Sequence, residues 1–207
     1  MGVQERRQRH KGALRQEILD AARDLFVHEG YRNVSMRRVA ERIEYSPTTI
    51  YLHFKNKEDL LFCICEQTFA KLVKEFETLG REPGDPVAAL QKGMRTYVQF
   101  ALKHPHDYLA TFGTPHEHGT PAQSERYLCE EAKGMQAFGF LRQSVAECVQ
   151  QGRFRPVDVE IASRALWAGI HGIASLLIVH PRFPWGDEDK VIDLVMDSMI
   201  EGLRARP

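Results

Sequence analysis

The chain has 207 residues, 43% hydrophobic and 27% charged, with 28 Lys+Arg against 28 Asp+Glu. That length supports one or two domains with a sizeable core, and a neutral total says nothing about a polyanionic partner until it is divided along the chain. The four cysteines lack disulfide or zinc-finger spacing, no apolar run follows the Arg-rich start as in a signal peptide, and the longest apolar stretch, Ala165 to Val179, is too short for a bilayer, so a cytoplasmic protein is expected.

Residues 1–10 are polar and basic and read as a leader, flexible or reaching into a minor groove. The first helix is predicted over 12–29, where Leu14, Ile18, Ala21, Ala22, Leu25 and Phe26 form one stripe and Gly30 stops it. Ser35 then stands as an N-cap before Met36, Val39, Ala40 and Ile43, with Arg37, Arg38, Glu41 and Arg42 on the other face. The apolar run breaks at Glu44-Tyr45. Ser46 is a second N-cap with Pro47 at the first helical position, and Ile50 and Phe54, four apart, can pack inward. Two short helices across a tight turn over 35–54 make a helix-turn-helix, whose second helix can lie in a major groove. The same caps and spacing would also serve an αα-hairpin of a helical bundle.

Charge favours the first reading. Residues 1–55 hold 11 Lys+Arg and 7 Asp+Glu, a balance of +4, which leaves 17 and 21, or −4, for the rest. Positive charge at one end suits phosphate contacts.

From Lys11 to Leu61 the chain resembles the tetracycline-repressor (TetR) family of bacterial transcription regulators. The resemblance rests on Ile18, Ala21, Ala22, Leu25 and Phe26, Gly30-Tyr31, Ser35, Val39-Ala40, Ser46, Ile50-Tyr51, His53-Phe54 and Lys57-Glu58-Asp59-Leu60 in order. It implies a DNA-binding domain over 12–72 and a helical ligand-binding and dimerisation domain over 80–207. It also implies a DNA-contacting set of Ser35, Met36, Arg37, Ser46, Pro47, Thr48, Thr49, Tyr51, His53 and Lys57. Within that set Ser35, Arg37, Tyr51, His53 and Lys57 fall to phosphates, and Pro47, Thr48 and Thr49 to base edges. Two positions depart from the family pattern: Glu44 stands at a turn where a small residue is usual, and Thr48 where glycine is common. A positive φ at Glu44 would be mildly strained.

Beyond the turn, Asn56 caps a helix running to about 79 that joins both domains, and Gly80 to Pro86 breaks the chain. Further helices are predicted over 86–103, 105–112, 122–151, 158–180 and 188–204, with no strand-like alternation, so the fold class is all-α. The last two helices are apolar over most of their circumference (Ile161, Leu166, Trp167, Ile170, Leu176 on one; Val191, Ile192, Val195, Met199 on the other). They suit a homodimer interface, or else a single buried central helix.

Candidate effector contacts are Phe100, His104, Tyr108 and Phe112, four apart in series, with Phe138, Trp167 and His171. The resemblance extends to Trp167-x-x-x-His171-Gly172, a pattern of some TetR-type C-terminal domains, and a small apolar or aromatic effector would suit such a lining. The same aromatics could equally be core. His104, His106, His116 and His118 with Glu117 raise a second reading, a metal sensor or metal-dependent enzyme. There is no helical Glu-x-x-His pair, nucleophile elbow or phosphate loop, so neither catalytic residues nor a cofactor are expected. The expectation is a cytoplasmic, homodimeric repressor that binds operator DNA, is released by an effector, and has no membrane partner.

Overall fold

The computed structural model describes residues 2–79, 84–113 and 121–205, and among these the only β-structure is an isolated bridge between Phe154 and Arg204. The helices are α1 (Val3–Glu29), α2 (Met36–Arg42), α3 (Pro47–Tyr51), α4 (Lys57–Thr78), α5 (Pro86–Lys103) and α6 (Pro105–Phe112), then α7 (Pro121–Leu128), α8 (Lys133–Gln150), α9 (Val159–Val179) and α10 (Glu188–Glu201). A 3-10 turn, Tyr31–Asn33, follows α1.

Two expected boundaries move. The leader is helical: α1 starts at Val3, and the Gly2 N–H donates to Glu5 Oε2 at 2.9 Å, the reach-back of a carboxylate in the first turn. The single helix expected over 122–151 is two, α7 and α8, parted at Cys129–Ala132, where Ala132 is extended (φ −62°, ψ 133°). The break falls where the tertiary grouping changes. The chain divides into two compact units, residues 1–68 with 106–129, and residues 69–105 with 130–207. Tyr127 on α7 and Ala137 on α8 therefore fall in different units.

The first unit is built on α1, which buries Ile18, Leu19, Ala22, Leu25 and Phe26 at helical spacing. Gly30 ends α1 at φ 80°, a conformation open to glycine, and turns the chain into Tyr31, whose ring meets Phe26 edge-on at 5.1 Å. Val39 and Ala40 of α2, Ile50 of α3, Phe54, and Leu60 and Ile64 of α4 complete this core. The middle of the chain contributes α6, whose Asp107 lies 2.8 Å from the Arg23 Nε of α1, both side chains nearly buried. That approach is an ion pair; Nε has no aligned hydrogen bond, while the other nitrogens reach Asp20 (2.6 Å) and Gln67 (3.1 Å). From α7, Tyr127 packs on Phe62 at 5.1 Å and Arg126 lies over the same ring at 3.9 Å.

The second unit packs α5, α8, α9 and α10 together. Leu90, Met94 and Val98 of α5, Val145 of α8, Leu166, Ile170 and Ala174 of α9, and Ile192, Met196 and Ile200 of α10 form its core. Gly169 lets α9 and α10 approach closely: a Cβ there would meet Met199 Sδ at 2.1 Å. The α8–α9 turn is clipped to the C-terminal segment by Arg155 N–H to Leu203 O and Ala205 N–H to Arg153 O, each 3.0 Å.

With 21 residues, α9 is longer than the apolar run that marks it, and its length and composition would suffice to cross a bilayer. One face of it packs within the second unit, with Ala162, Ser163, Leu166, Ile170, Ile173, Ala174 and Leu177 buried. Burial also makes two thiols poor nucleophiles, with Cys65 pushed up to about 12 and Cys148 to about 11.

Candidate nucleic-acid interface and ligand site

The two short helices are fixed by their caps. Ser35 Oγ accepts from the Arg38 N–H at 3.1 Å, and Ser46 Oγ accepts from the Thr49 N–H at 3.2 Å. Between them Tyr45 N–H bonds to Ala40 O (3.0 Å) and Glu44 N–H to Glu41 O (3.3 Å), the paired return bonds of a Schellman ending. That ending needs a left-handed residue after the helix, and Glu44 supplies it with φ 60°. The turn is built as a glycine would build it, with a glutamate in the place.

Val39, Ala40 and Ile50 face the core, so Ser46, Thr48, Tyr51 and Leu52 are left outward, Tyr51 at 55% and Leu52 at 75% exposure. The expected contact residues separate on this surface. Ser35, Arg37, Ser46, Thr48 and Tyr51 are exposed, and Pro47, Thr49, His53 and Lys57 are half-buried. Met36 is buried, so its side chain is an anchor of α2 and is not presented to a ligand. The Thr49 hydroxyl sits 2.9 Å from that of Ser46, and so serves the cap.

The basic residues also separate. Arg38 forks onto Glu29 (2.7 Å at the shortest), which holds that carboxyl below the usual carboxylate range. Arg42 is 4.0 Å from Asp24. Arg37 has no carboxylate partner among the described residues, which leaves it the α2 guanidinium best placed to meet a phosphate. Lys57 donates to Tyr31 O at 2.8 Å and lies 4.2 Å over the Tyr31 ring, and burial lowers its pKa from the usual lysine value. It staples the start of α4 to the turn after α1, with further ammonium donors left for an anion. His53 is depressed by burial and then by Lys11 and Arg15, and its Nδ1 is buried without a hydrogen-bond partner. The imidazole is neutral at neutral pH.

The ligand candidates divide between the units. The row Phe100, His104, Tyr108, Phe112 is interrupted at Pro105: Phe100 and His104 stack at 4.9 Å at the end of α5, whereas Tyr108 and Phe112 meet at 4.8 Å on α6 in the first unit. In the second unit Phe138, Trp167 and His171 do come together, with ring centroids 6.1 Å and 5.9 Å apart along the series. Trp167 and His171 both reach Tyr97, which the sequence pattern does not single out. Its hydroxyl lies 3.1 Å from His171 Nδ1 and accepts from Trp167 Nε1 at 3.4 Å. Tyr97 stands one turn before Phe100 on α5, and that spacing was the available signal. Burial lowers the His171 pKa. A neutral imidazole, a phenol and an indole, with Phe138 beside them, can bind an apolar or aromatic molecule and hydrogen-bond one polar group on it.

The histidine-based metal reading gains no support among the described residues. His104 lies between α5 and α6, and His106 lies on α6, where it packs on His28 at 5.6 Å. His116, Glu117 and His118 lie outside the described residues, among which no group of three side chains could hold a metal ion.

Comparison with known proteins places both units in one context. The family model "Bacterial regulatory proteins, tetR family" matches residues 18–64, and "Tetracyclin repressor-like, C-terminal domain" matches residues 90–203. The HTH-type transcriptional repressor AcnR of Corynebacterium diphtheriae is 30% identical over 99 residues, 47% of this chain and 45% of that protein. An HTH-type transcriptional regulator of Staphylococcus aureus is 29% identical over 90 residues, covering 44% and 49% respectively. The chain thus spans about half the length of the curated relatives it matches. Among solved structures, the TetR family transcriptional regulator PfmR of Thermus thermophilus superposes with a TM-score of 0.70 at 25% identity, covering 91% of this chain and 96% of that one. FadR of Bacillus subtilis, solved in complex with stearoyl-CoA, shares the fold at a TM-score of 0.74 and 18% identity, over 91% and 99% of the two chains.

Proposed function

The chain belongs to the TetR family of transcriptional regulators, and from that premise we propose that it is a one-component repressor acting on operator DNA in the cytoplasm. The observation that supports this best is the outward face of α3, with Thr48, Tyr51 and Leu52 open beside an Arg37 that has no carboxylate partner among the described residues. Arg37, Tyr51 and the Ser35 hydroxyl hold phosphates, Thr48 meets base edges, and Pro47 fixes the start of the helix that presents it. Lys57 and His53 border the same face.

A single short helix reads few base pairs, so two copies on paired half-sites are required. The outer face of α9 and α10 supplies the means. Ile161, Ala165, Ala168, Leu176 and Val179 of α9 recur at helical spacing and are exposed, as is Leu194 of α10 at 68%. Placing this apolar stripe against its copy gives a two-fold helical interface.

An effector held near Tyr97, Phe138, Trp167 and His171 favours a conformation whose two readers no longer match the half-sites. It does so only to the extent that it binds that conformation more tightly. Its class is small and apolar or aromatic with one polar group; an acyl chain is a candidate, since the fold neighbour FadR was solved with stearoyl-CoA.

The test is fluorescence anisotropy of the full chain on its own upstream DNA and on scrambled DNA across a salt series. Tight, salt-steep binding at two chains per site is expected. Tyr51→Phe should weaken every duplex alike, whereas Thr48→Ala should change base preference by about 1–3 kcal/mol at one position. Absence of binding to either DNA at low salt overturns the reading.

A further inference from the structure

The match to the family's DNA-binding model begins at residue 18, yet α1 begins at Val3. From Gln4 to Ala13 every residue is exposed, so packing does not account for this stretch. A helix of that length is marginal in water by itself, and Gly12 in its interior weakens it further. Its charge is the informative property. Through Gln16 it carries Arg6, Arg7, Arg9, Lys11 and Arg15 against Glu5 as the one acid.

Arg7, Lys11 and Arg15 are spaced i, i+4, i+8 and therefore share one face, spanning about 12 Å along the axis. Neither Arg7 nor Lys11 has an ion-pair partner among the described residues. The inner end of the row is anchored. The Arg15 guanidinium lies 4.5 Å over the ring of Phe54 and donates to Cys63 Sγ at 3.1 Å. Phe54 lies three residues past the end of α3, and its neighbour His53 lies within the field of both Lys11 and Arg15. The row thus starts beside the face proposed to meet DNA and runs outward from it along a helix outside the family model.

We propose that the exposed start of α1 is a second DNA contact, in which Arg7 and Lys11 sit on phosphates flanking the segment faced by α3. The proposal rests on the DNA-binding reading above and adds affinity without adding sequence preference, because phosphates carry no base information. A two-point contact on a helix differs from a flexible basic arm in one respect: its register depends on the helix remaining intact through Gly12.

The probe is a duplex selected by the full chain from a random-sequence library, used once with long flanks and once with the flanks trimmed. With the long duplex, Arg7→Ala/Lys11→Ala should reduce the slope of log K against log salt by about 1.8 for each bound chain. Trimming the flanks should cost the wild type the same amount and the double variant nothing more. Gly12→Pro keeps every charge but breaks the helix, and should lose the flank-dependent part as the double variant does. Circular dichroism should show unchanged melting of all variants, since these residues have no part in the core.

If the wild type binds and the double variant keeps the full slope, the second contact does not exist, while the DNA-binding reading stands. If Gly12→Pro keeps the slope that Arg7→Ala/Lys11→Ala loses, a flexible arm makes the contact and the helical row is wrong. If the wild type selects no duplex, the DNA-binding reading fails and this proposal with it.

Discussion

The two units build their sites from opposite kinds of sequence. In the helix-turn-helix the geometry is local: Ser35 caps the N–H three residues on, Ser46 does the same, and the turn closes with bonds spanning Ala40 to Tyr45. In the C-terminal unit the corresponding polar cluster joins Tyr97 to residues 70 and 74 positions away. A local site is set by caps and spacing and tolerates change elsewhere. A long-range site exists only when α5, α8 and α9 pack correctly, so its chemistry depends on the stability of the whole unit.

The sharpest break in that contrast is Asp107, the point where the local unit depends on a distant segment. Asp107→Ala leaves the Arg23 guanidinium nearly buried and short of its carboxylate, and should cost about 3 kcal/mol in urea unfolding. Asp107→Asn, which keeps the shape but not the charge, should recover little of it. A loss within the range of a surface ion pair, below about 1 kcal/mol, would mean that Asp20 and Gln67 suffice and that the unit is local throughout.

An intermediate effect is expected at the long-range site. Tyr97→Phe keeps the packing and removes the hydroxyl that faces Trp167 and His171, and should cost about 1–2 kcal/mol. Tryptophan emission should report the loss of the indole's hydrogen bond. An unchanged spectrum and stability would mean that Tyr97 is only filling space.

The smallest effect tests the local site at its one irregular residue. Glu44→Gly relieves a side chain held at φ 60° and should stabilise the first unit by about 0.5–1 kcal/mol, while Glu44→Ala should bring no such gain. Both substitutions remove a negative charge near the proposed phosphate contacts and should tighten DNA binding at low salt. If glycine and alanine prove equal in stability, the turn is not strained.

What was legible in the sequence follows the same division. The caps at Ser35, Ser46 and Asn56, the stop at Gly30 and the core positions Ile18, Val39, Ile50 and Phe54 lie where their spacing puts them. The resemblance implied a set of contact residues but could not sort it: that Met36 is buried, that Thr49 serves the cap and that Arg38 is held by Glu29 depends on neighbours in space. The helical leader was not legible because Gly12 and the lack of an apolar stripe speak against a helix there.

By itself, then, the sequence determined the all-α class, the two short helices and their turn, and the apolar character of α9 and α10. Each is written in a period of a few residues, which local sterics and capping convert directly into structure. Tertiary structure alone decided the split of 122–151 into α7 and α8, the placement of α6 with the first unit, and the meeting of Trp167 and His171 at Tyr97. Those outcomes turn on which apolar faces meet, and hydrophobic attraction is non-directional, so a helical stripe shows that a face will be buried without naming the face it will meet.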